Sequence, residues 1–231
     1  MDFLSQTWCG LNWTSWIQCI APAYKALPPV PGVYRVKPLN RQELVYVGQT
    51  GRSLRERLMS LHNHSMALQM PFNDPHTAAP NLWALRDAEH MEFEYSAAPT
   101  TFSEKERLAF ECYLLWQYRL EKKESTRCNH GRFHPNYRKS RDRSTQDRGA
   151  RLAEGIINPN GGKSWPPLHS QGNPWDTDWM ELTWSQADYL NDAAVRRTPN
   201  APGVYKLFCF STDLKEQVLL YIGQSKILKT S

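Results

Sequence analysis

Two charged residues of opposite sign sit where helices would ordinarily carry apolar side chains. Between Arg52 and about Gln69, Leu54, Leu58 and Leu61 recur at i, i+4 and i+7, the spacing of one buried helical stripe. At about 100° per residue Arg57 falls beside that stripe, whereas Arg52 and Arg55 face outward. A guanidinium near a core needs an anionic partner. A second helix is expected from Ser103 to about Glu121, opened by the Ser-x-x-Glu capping box of Ser103 and Glu106. Its apolar arc of Leu108, Cys112 and Leu115 contains Glu111, and an unpaired carboxylate there is costly. Two readings follow. Arg57 and Glu111 neutralise one another as a core pair, or they belong to a functional site, where charged groups in unfavourable surroundings concentrate. Glu104, Glu106, Glu121 and Glu124 lie at helix ends or outward and read as capping and solubility residues.

A hairpin must position whatever these two residues serve. Pro31-Gly32-Val33-Tyr34-Arg35-Val36 and Leu44-Val45-Tyr46-Val47-Gly48-Gln49 are short β-branched and aromatic runs joined by a loop holding Asn40, Arg41 and Gln42. The pairing puts the phenols of Tyr34 and Tyr46 near the middle of paired strands, and Gly32 and Gly48 mark sharp turns or close backbone approach. Residues around 11–26 read as a short Trp-bearing helix disturbed at Pro22. Pro71 to Pro80 is a loop, Leu82 to Ala88 a short helix, and Met91 to Tyr95 an alternating strand. The order β-β-α-(α)-β-α predicts an α/β (α+β) fold with a small three-stranded mixed or antiparallel sheet flanked by helices.

The same words recur. Trp8, Leu11, Trp13, Pro28 and Pro31-Gly32-Val33-Tyr34 return as Trp179, Leu182, Trp184, Pro199 and Pro202-Gly203-Val204-Tyr205 at a constant offset of 171 (184 − 13, 202 − 31). The second copy gains four residues in its loop and then gives Leu220-Tyr221-Ile222-Gly223-Gln224. It ends without counterparts of the Arg57 helix, the third strand or the Glu111 helix. The expected organisation is therefore a domain over 1–130, a basic and Pro/Gly-rich linker over 131–174 and a truncated second copy over 175–231.

Charge is unevenly placed. The formal net charge is +5, yet Arg119 to Arg151 alone holds eleven Lys and Arg against four acids, so the rest of the chain is slightly acidic. Such a run is either a solvated linker or an arm that tracks phosphates. No apolar run is long enough to span a membrane. Lys and Arg are absent before Lys25, and five cysteines form no Cys-x-x-Cys pair. Both features point to a reduced, cytoplasmic chain.

Gly32-Val33-Tyr34, then Tyr46-Val47-Gly48, then Leu54-Arg55-x-Arg57-Leu58, then Glu111-x-x-Leu114-Leu115 and a later Asn resemble the GIY-YIG nuclease superfamily over about residues 30–130. Val33 and Val47 stand where that family has isoleucines. The resemblance implies a metal-dependent DNA endonuclease. Tyr34 and Tyr46 would flank the attacking water, Tyr34 being preferred as general base. Arg57 would hold the scissile phosphate, and Glu111 would be the single protein ligand of one Mg2+ or Mn2+ ion. The late Asn maps to Asn129, with Asn136 as competitor, and His62 or His64 to a phosphate-contacting residue. Arg52, Arg55, Arg132, Arg138, Lys139, Arg141 and Arg143 would contact nucleic acid. DNA is the implied partner, homodimerisation is left open, and the alternative is a nucleic-acid-binding or dimerising module that keeps the fold without cutting.

The chemistry asks for these types in its own right. In-line phosphodiester hydrolysis needs an activated water, stabilisation of charge on the phosphoryl oxygens and help for the leaving alkoxide. One carboxylate plus the substrate's phosphate suffices for Mg2+, but a free phenol, at a pKa of about 10, is a poor base at neutral pH. Cys128-x-His130-x-x-x-His134 lacks a fourth zinc ligand at sensible spacing and reads as a polar loop. Gly161-Gly162-Lys163-Ser164 lacks the upstream glycine and strand of a phosphate loop.

Overall fold

The computed structural model describes residues 2–130, 132–159, 161, 172–211 and 216–228, and the chain divides into two compact units, Met1–Leu168 and His169–Ser231. In the first unit β1 (Gly32–Pro38) is the central strand of an antiparallel sheet, with β2 (Tyr46–Thr50) on one side and β3 (Phe93–Pro99) on the other. α1 (Leu54–Ser65), α2 (Ala79–Glu89) and α3 (Glu104–Lys122) complete a mixed α+β unit in the expected chain order.

Local chemistry sets these boundaries. The Ser53 hydroxyl accepts from the Glu56 amide and caps α1, whose Leu54, Leu58 and Leu61 are buried as the spacing predicts. Ser103 and Glu106 form a reciprocal capping box at the start of α3. The buried face of α3 is not the expected one. Leu108 and Cys112 are exposed, whereas Leu114 and Tyr118 are buried. That face lies about 100° round the helix from Leu108. Its cause is polar and aromatic: the Tyr118 hydroxyl accepts from the Leu44 amide at 3.1 Å, and Leu114 packs with Trp8, Val33, Val47 and Ala98. Glu111 therefore sits at the border of the buried face rather than at its centre.

A second correction concerns residues 11–26, which form no α-helix. Short 3₁₀ turns at Trp8–Gly10 and Ala23–Ala26 flank an extended stretch that runs along the outer edge of β3. Ile17 and Tyr95 exchange backbone hydrogen bonds, Thr14 donates to the Ala97 carbonyl, and the Thr14 hydroxyl accepts from the Ala97 amide. An open strand edge thus outcompetes helix formation, which also protects the sheet from edge pairing.

The sheet separates two apolar layers. On one face Tyr34, Val36, Tyr46, Tyr95 and Ala97 meet α1 and α2; on the other Val33, Val47 and Ala98 meet α3 and the tryptophan-bearing segment. That second layer holds a fully buried cation. The Arg35 guanidinium lies 4.2 Å from the Trp13 ring and 4.7 Å from Trp16, and it donates to the carbonyls of Phe3 and Ser5. Burial lowers its pKa to about 9.

The basic stretch is folded against the first unit. β4 (Tyr137–Arg138) pairs with β5 (Ala150–Arg151), and Tyr137 is buried with Met70, Trp83 and Phe133. The first part of the stretch read as a linker is thus folded with the first unit, adding Phe133 and Tyr137 to a cluster with Met70, Trp83 and Ala84. Gly162 to Ser164, the phosphate-loop-like tail, lies outside the described residues.

In the second unit α4 (Asp192–Arg197) precedes a hairpin of β6 (Gly203–Ser211) and β7 (Glu216–Ser225). Its turn at Trp179–Glu181 places Met180 at φ 60°, as Cys9 stands at φ 54° in the turn at Trp8–Gly10. The Trp184 indole donates to the Trp179 carbonyl at 2.8 Å, just as Trp13 donates to Trp8 at 2.9 Å. Lys206 lies 4.1 Å from the Trp184 ring, the place Arg35 takes against Trp13.

Candidate functional site

Register brings the two phenols to one face. Tyr34 pairs across β1 and β2 with Gly48, and Val36 with Tyr46, so the rings of Tyr34 and Tyr46 lie diagonally with centroids 6.0 Å apart. Gly48 makes this feasible: a Cβ there would stand 2.7 Å from the Tyr34 ring and hydroxyl and 2.8 Å from Tyr46. The same relation holds for Gly223 between Tyr205 and Tyr221.

α1 brings Arg57 to this pair. Its Nε donates to the Tyr34 hydroxyl at 3.3 Å, and its Nη1 donates to the Pro75 carbonyl at 3.2 Å. The Tyr46 ring lies beside that hydroxyl across the strand pair. Burial nevertheless raises the Tyr34 phenol above its ordinary value, with Glu111 adding to the effect and Arg57 opposing it. Tyr46 is raised further, by burial and then by Tyr34 and Glu111. Both phenols are neutral at pH 7.

α3, lying chiefly against β2, supplies Glu111. Burial raises its pKa to about 7, and Arg57 acts through space in the opposite direction. Among the described residues no salt bridge joins the two and no donor reaches the carboxylate, so Arg57 is not spent on neutralising Glu111. One turn earlier Arg107 donates to Gln49 and to the Phe102 carbonyl, which fixes the helix start beside β2.

The other expected residues divide. Asn129 is buried: its amide donates to the Val47 carbonyl at 2.8 Å and its oxygen accepts from the Val47 amide at 3.0 Å. With Cys128 donating to the Val45 carbonyl, it clamps the outer edge of β2 and holds Tyr46-Val47-Gly48 in place. His62 turns to β3, its Nδ1 3.3 Å from the Tyr95 hydroxyl, away from Arg57. Arg55 donates to the carbonyls of Leu27 and Lys25 and so braces a loop, and Arg138 pairs with Asp147. Lys139 and Arg132 are half-buried, while Arg52, Arg141 and Arg143 face solvent. Asn136, the competitor of Asn129, is exposed, and its amide donates to the His134 ring.

His76 is the residue that sequence reasoning missed. It is buried in the α1–α2 loop next to Pro75, with Nε2 2.7 Å from the Ser60 hydroxyl and its ring 5.3 Å from that of His64. Burial, with Arg57 and His64 nearby, lowers its pKa to about 4, so it is neutral in use. A lone histidine in a proline-bracketed loop carries no periodicity that could have flagged it.

The arrangement gathers a cation on α1, two phenols on one sheet face and a carboxylate on α3. It can hold an anion at Arg57 and a divalent cation at Glu111. Among the described residues no set of three or more His, Cys, Asp or Glu side chains forms a metal cage. A cation at Glu111 would take one protein oxygen and complete its shell with water and substrate, the habit of Mg2+ rather than of Zn2+. The half-buried carboxylate, raised by desolvation and not paired with Arg57, fits such an ion. Comparison with protein-family models, with curated proteins and with solved structures finds no match.

Proposed function

We propose that the first unit is a metal-dependent endonuclease of the GIY-YIG type that hydrolyses DNA phosphodiester bonds. One observation carries the reading: Arg57 donates to Tyr34, whose ring packs against Tyr46, beside a half-buried Glu111 that neither pairs with Arg57 nor accepts a hydrogen bond among the described residues. Arg57 binds the scissile phosphate and stabilises charge that grows on its oxygens. Glu111 would hold the divalent ion, which would supply Lewis-acid stabilisation of the phosphoryl group and leaving oxygen. The Arg57 donor and its charge favour the Tyr34 phenolate, but burial wins in the free protein. Tyr34 and Tyr46 thus orient the attacking water, and Tyr34 accepts its proton only after releasing its own to solvent, which bound positive charge would favour against burial. Asn129 acts at one remove by holding β2.

We further propose that His169–Ser231 is a partial duplicate of the first unit. Its support is the repeated tryptophan turn, the caged cation (Arg35, Lys206) and the paired Tyr-Gly-Tyr packing. A specific observation also favours the non-cutting alternative for the whole chain: Tyr34 is only 1 % exposed. Nicking of supercoiled plasmid separates the two readings. The nuclease converts it to open circles with Mg2+ and not with EDTA. A module that binds without nicking under both conditions would establish the alternative.

A further inference from the structure

The basic stretch does more than lie near the first unit: it closes one side of a cleft that begins at the loop behind Arg57. The Arg143 amide donates to Asp74, the Asn73 amide donates to the Arg141 carbonyl, and Arg148 donates to the Met70 carbonyl while stacking 4.3 Å from the Phe72 ring. Gly149 permits this docking, since a Cβ there would stand 2.2 Å from the Arg138 carbonyl and 2.5 Å from the Met70 sulfur. Between loop and basic stretch opens a cleft of about 400 Å³, lined by His64, Phe72, Arg143, Gln146 and Arg148 among others, with no carboxylate in its wall. The Asp74 carboxylate that accepts from the Arg143 amide stands 3.9 Å from the Arg143 guanidinium, and that side chain is 60 % exposed.

A chain of contacts leads from the cleft toward the candidate site. The His64 ring packs at a tilt against His76, His76 meets Ser60, and the adjoining Pro75 carbonyl accepts from Arg57. Two guanidiniums, an imidazole and an amide around an open space suit an anion with a polar body attached, and arginine favours phosphate for its forked donors. Resting on the nuclease reading, we propose that this cleft is a second phosphate subsite, which takes a neighbouring nucleotide of the strand whose scissile phosphate lies at Arg57. Arg143 contacts that phosphate, while Arg148, tied to Met70 and Phe72, shapes the wall. A phosphate held there fixes the direction in which the strand leaves Arg57, so the subsite sets register as well as affinity.

The test uses the full chain and fluorescein-labelled DNA oligonucleotides, with Arg143→Gln and Gln146→Ala as variants that leave the Arg57 cluster untouched. Binding is read by anisotropy across a salt series in EDTA, with melting curves to establish that each variant folds. Arg143→Gln should weaken binding about five- to tenfold and lower the log–log salt slope by about one. A folded Arg143→Gln with unchanged affinity and slope would overturn the subsite. Deoxynucleoside monophosphate and inorganic phosphate serve as competitors. Displacement only at far higher concentration than the oligonucleotide supports a strand phosphate, whereas equal potency of the monophosphate would overturn that assignment in favour of a free-nucleotide site. The two proposals fail separately: a wild type that binds with the Arg143-dependent slope yet never cuts refutes the nuclease and keeps the subsite, and cutting with no Arg143 dependence does the reverse.

Discussion

At the scale of single residues, Glu111 is the most informative group. Burial raises its pKa to about 7 from an ordinary carboxyl value of 4.5. A raised pKa means that the folded chain holds this proton more tightly than the unfolded one. The stabilising contribution is complete below about pH 4.5 and disappears as pH rises through about 7. Glu111→Gln mimics the protonated acid, so without metal it should match wild type near pH 4. Near pH 8 it should be more stable by about 1–2 kcal/mol, after allowance for partial exposure. Mg2+ should raise the melting temperature of wild type at pH 8 and leave the variant unmoved. Melting curves at both pH values, with and without Mg2+, check this, and an unstabilised variant at pH 8 would remove Glu111 from a desolvated cation site.

At the scale of elements, the hairpin and α1 position everything else. Gly48 gives the Tyr34 and Tyr46 rings the room they occupy. Gly48→Ala should cost about 1–3 kcal/mol as an overpacked core does, and the displaced Tyr34 should lose its bond from Arg57. Cleavage should then fall further than stability alone explains, as judged at a temperature where the variant is fully folded. Full activity in a folded variant would show that phenol placement is unimportant. Much of this was legible beforehand. The β-branched words, the Leu54–Leu58–Leu61 stripe and the Ser103 capping box are local signals, and local structure follows them. What failed was non-local. The tryptophan segment reads as a helix until the free edge of β3 offers it partners, and the buried face of α3 is chosen by Tyr118 reaching Leu44, 74 residues away. Arg57 and Glu111 were legible as misplaced charges, but their failure to pair directly was not, because it depends on where two helices sit against the sheet. His76 and the clamp by Asn129 likewise exist only once distant loops meet.

At the scale of the whole molecule, the two units differ in what they cover. Val33, Val36 and Val47 are fully buried, whereas their counterparts Val204, Leu207 and Ile222 are 41 %, 38 % and 46 % exposed. The first unit buries these positions under α1, α2, β3 and α3, and the described part of the second has only α4, too short to do the same. Positive charge follows the same division, since the basic stretch belongs to the unit that holds the cluster. No helix among the described residues is long and apolar enough to cross a membrane. The central claim, that this cluster cuts phosphodiesters rather than merely bracing a core, is tested most directly by single-turnover DNA cleavage with Arg57→Ala, followed alongside its thermal melting. Arg57 is half-buried, makes no ion pair with Glu111 and donates one bond to Tyr34 and one to Pro75. The account predicts cleavage down by two or more decades, the rough scale for one lost charge donor in the transition state, with stability lowered by only about 1 kcal/mol. A variant that cuts like wild type while losing about 3–5 kcal/mol, the rough cost of a broken buried pair, would contradict it and leave Arg57 a structural residue.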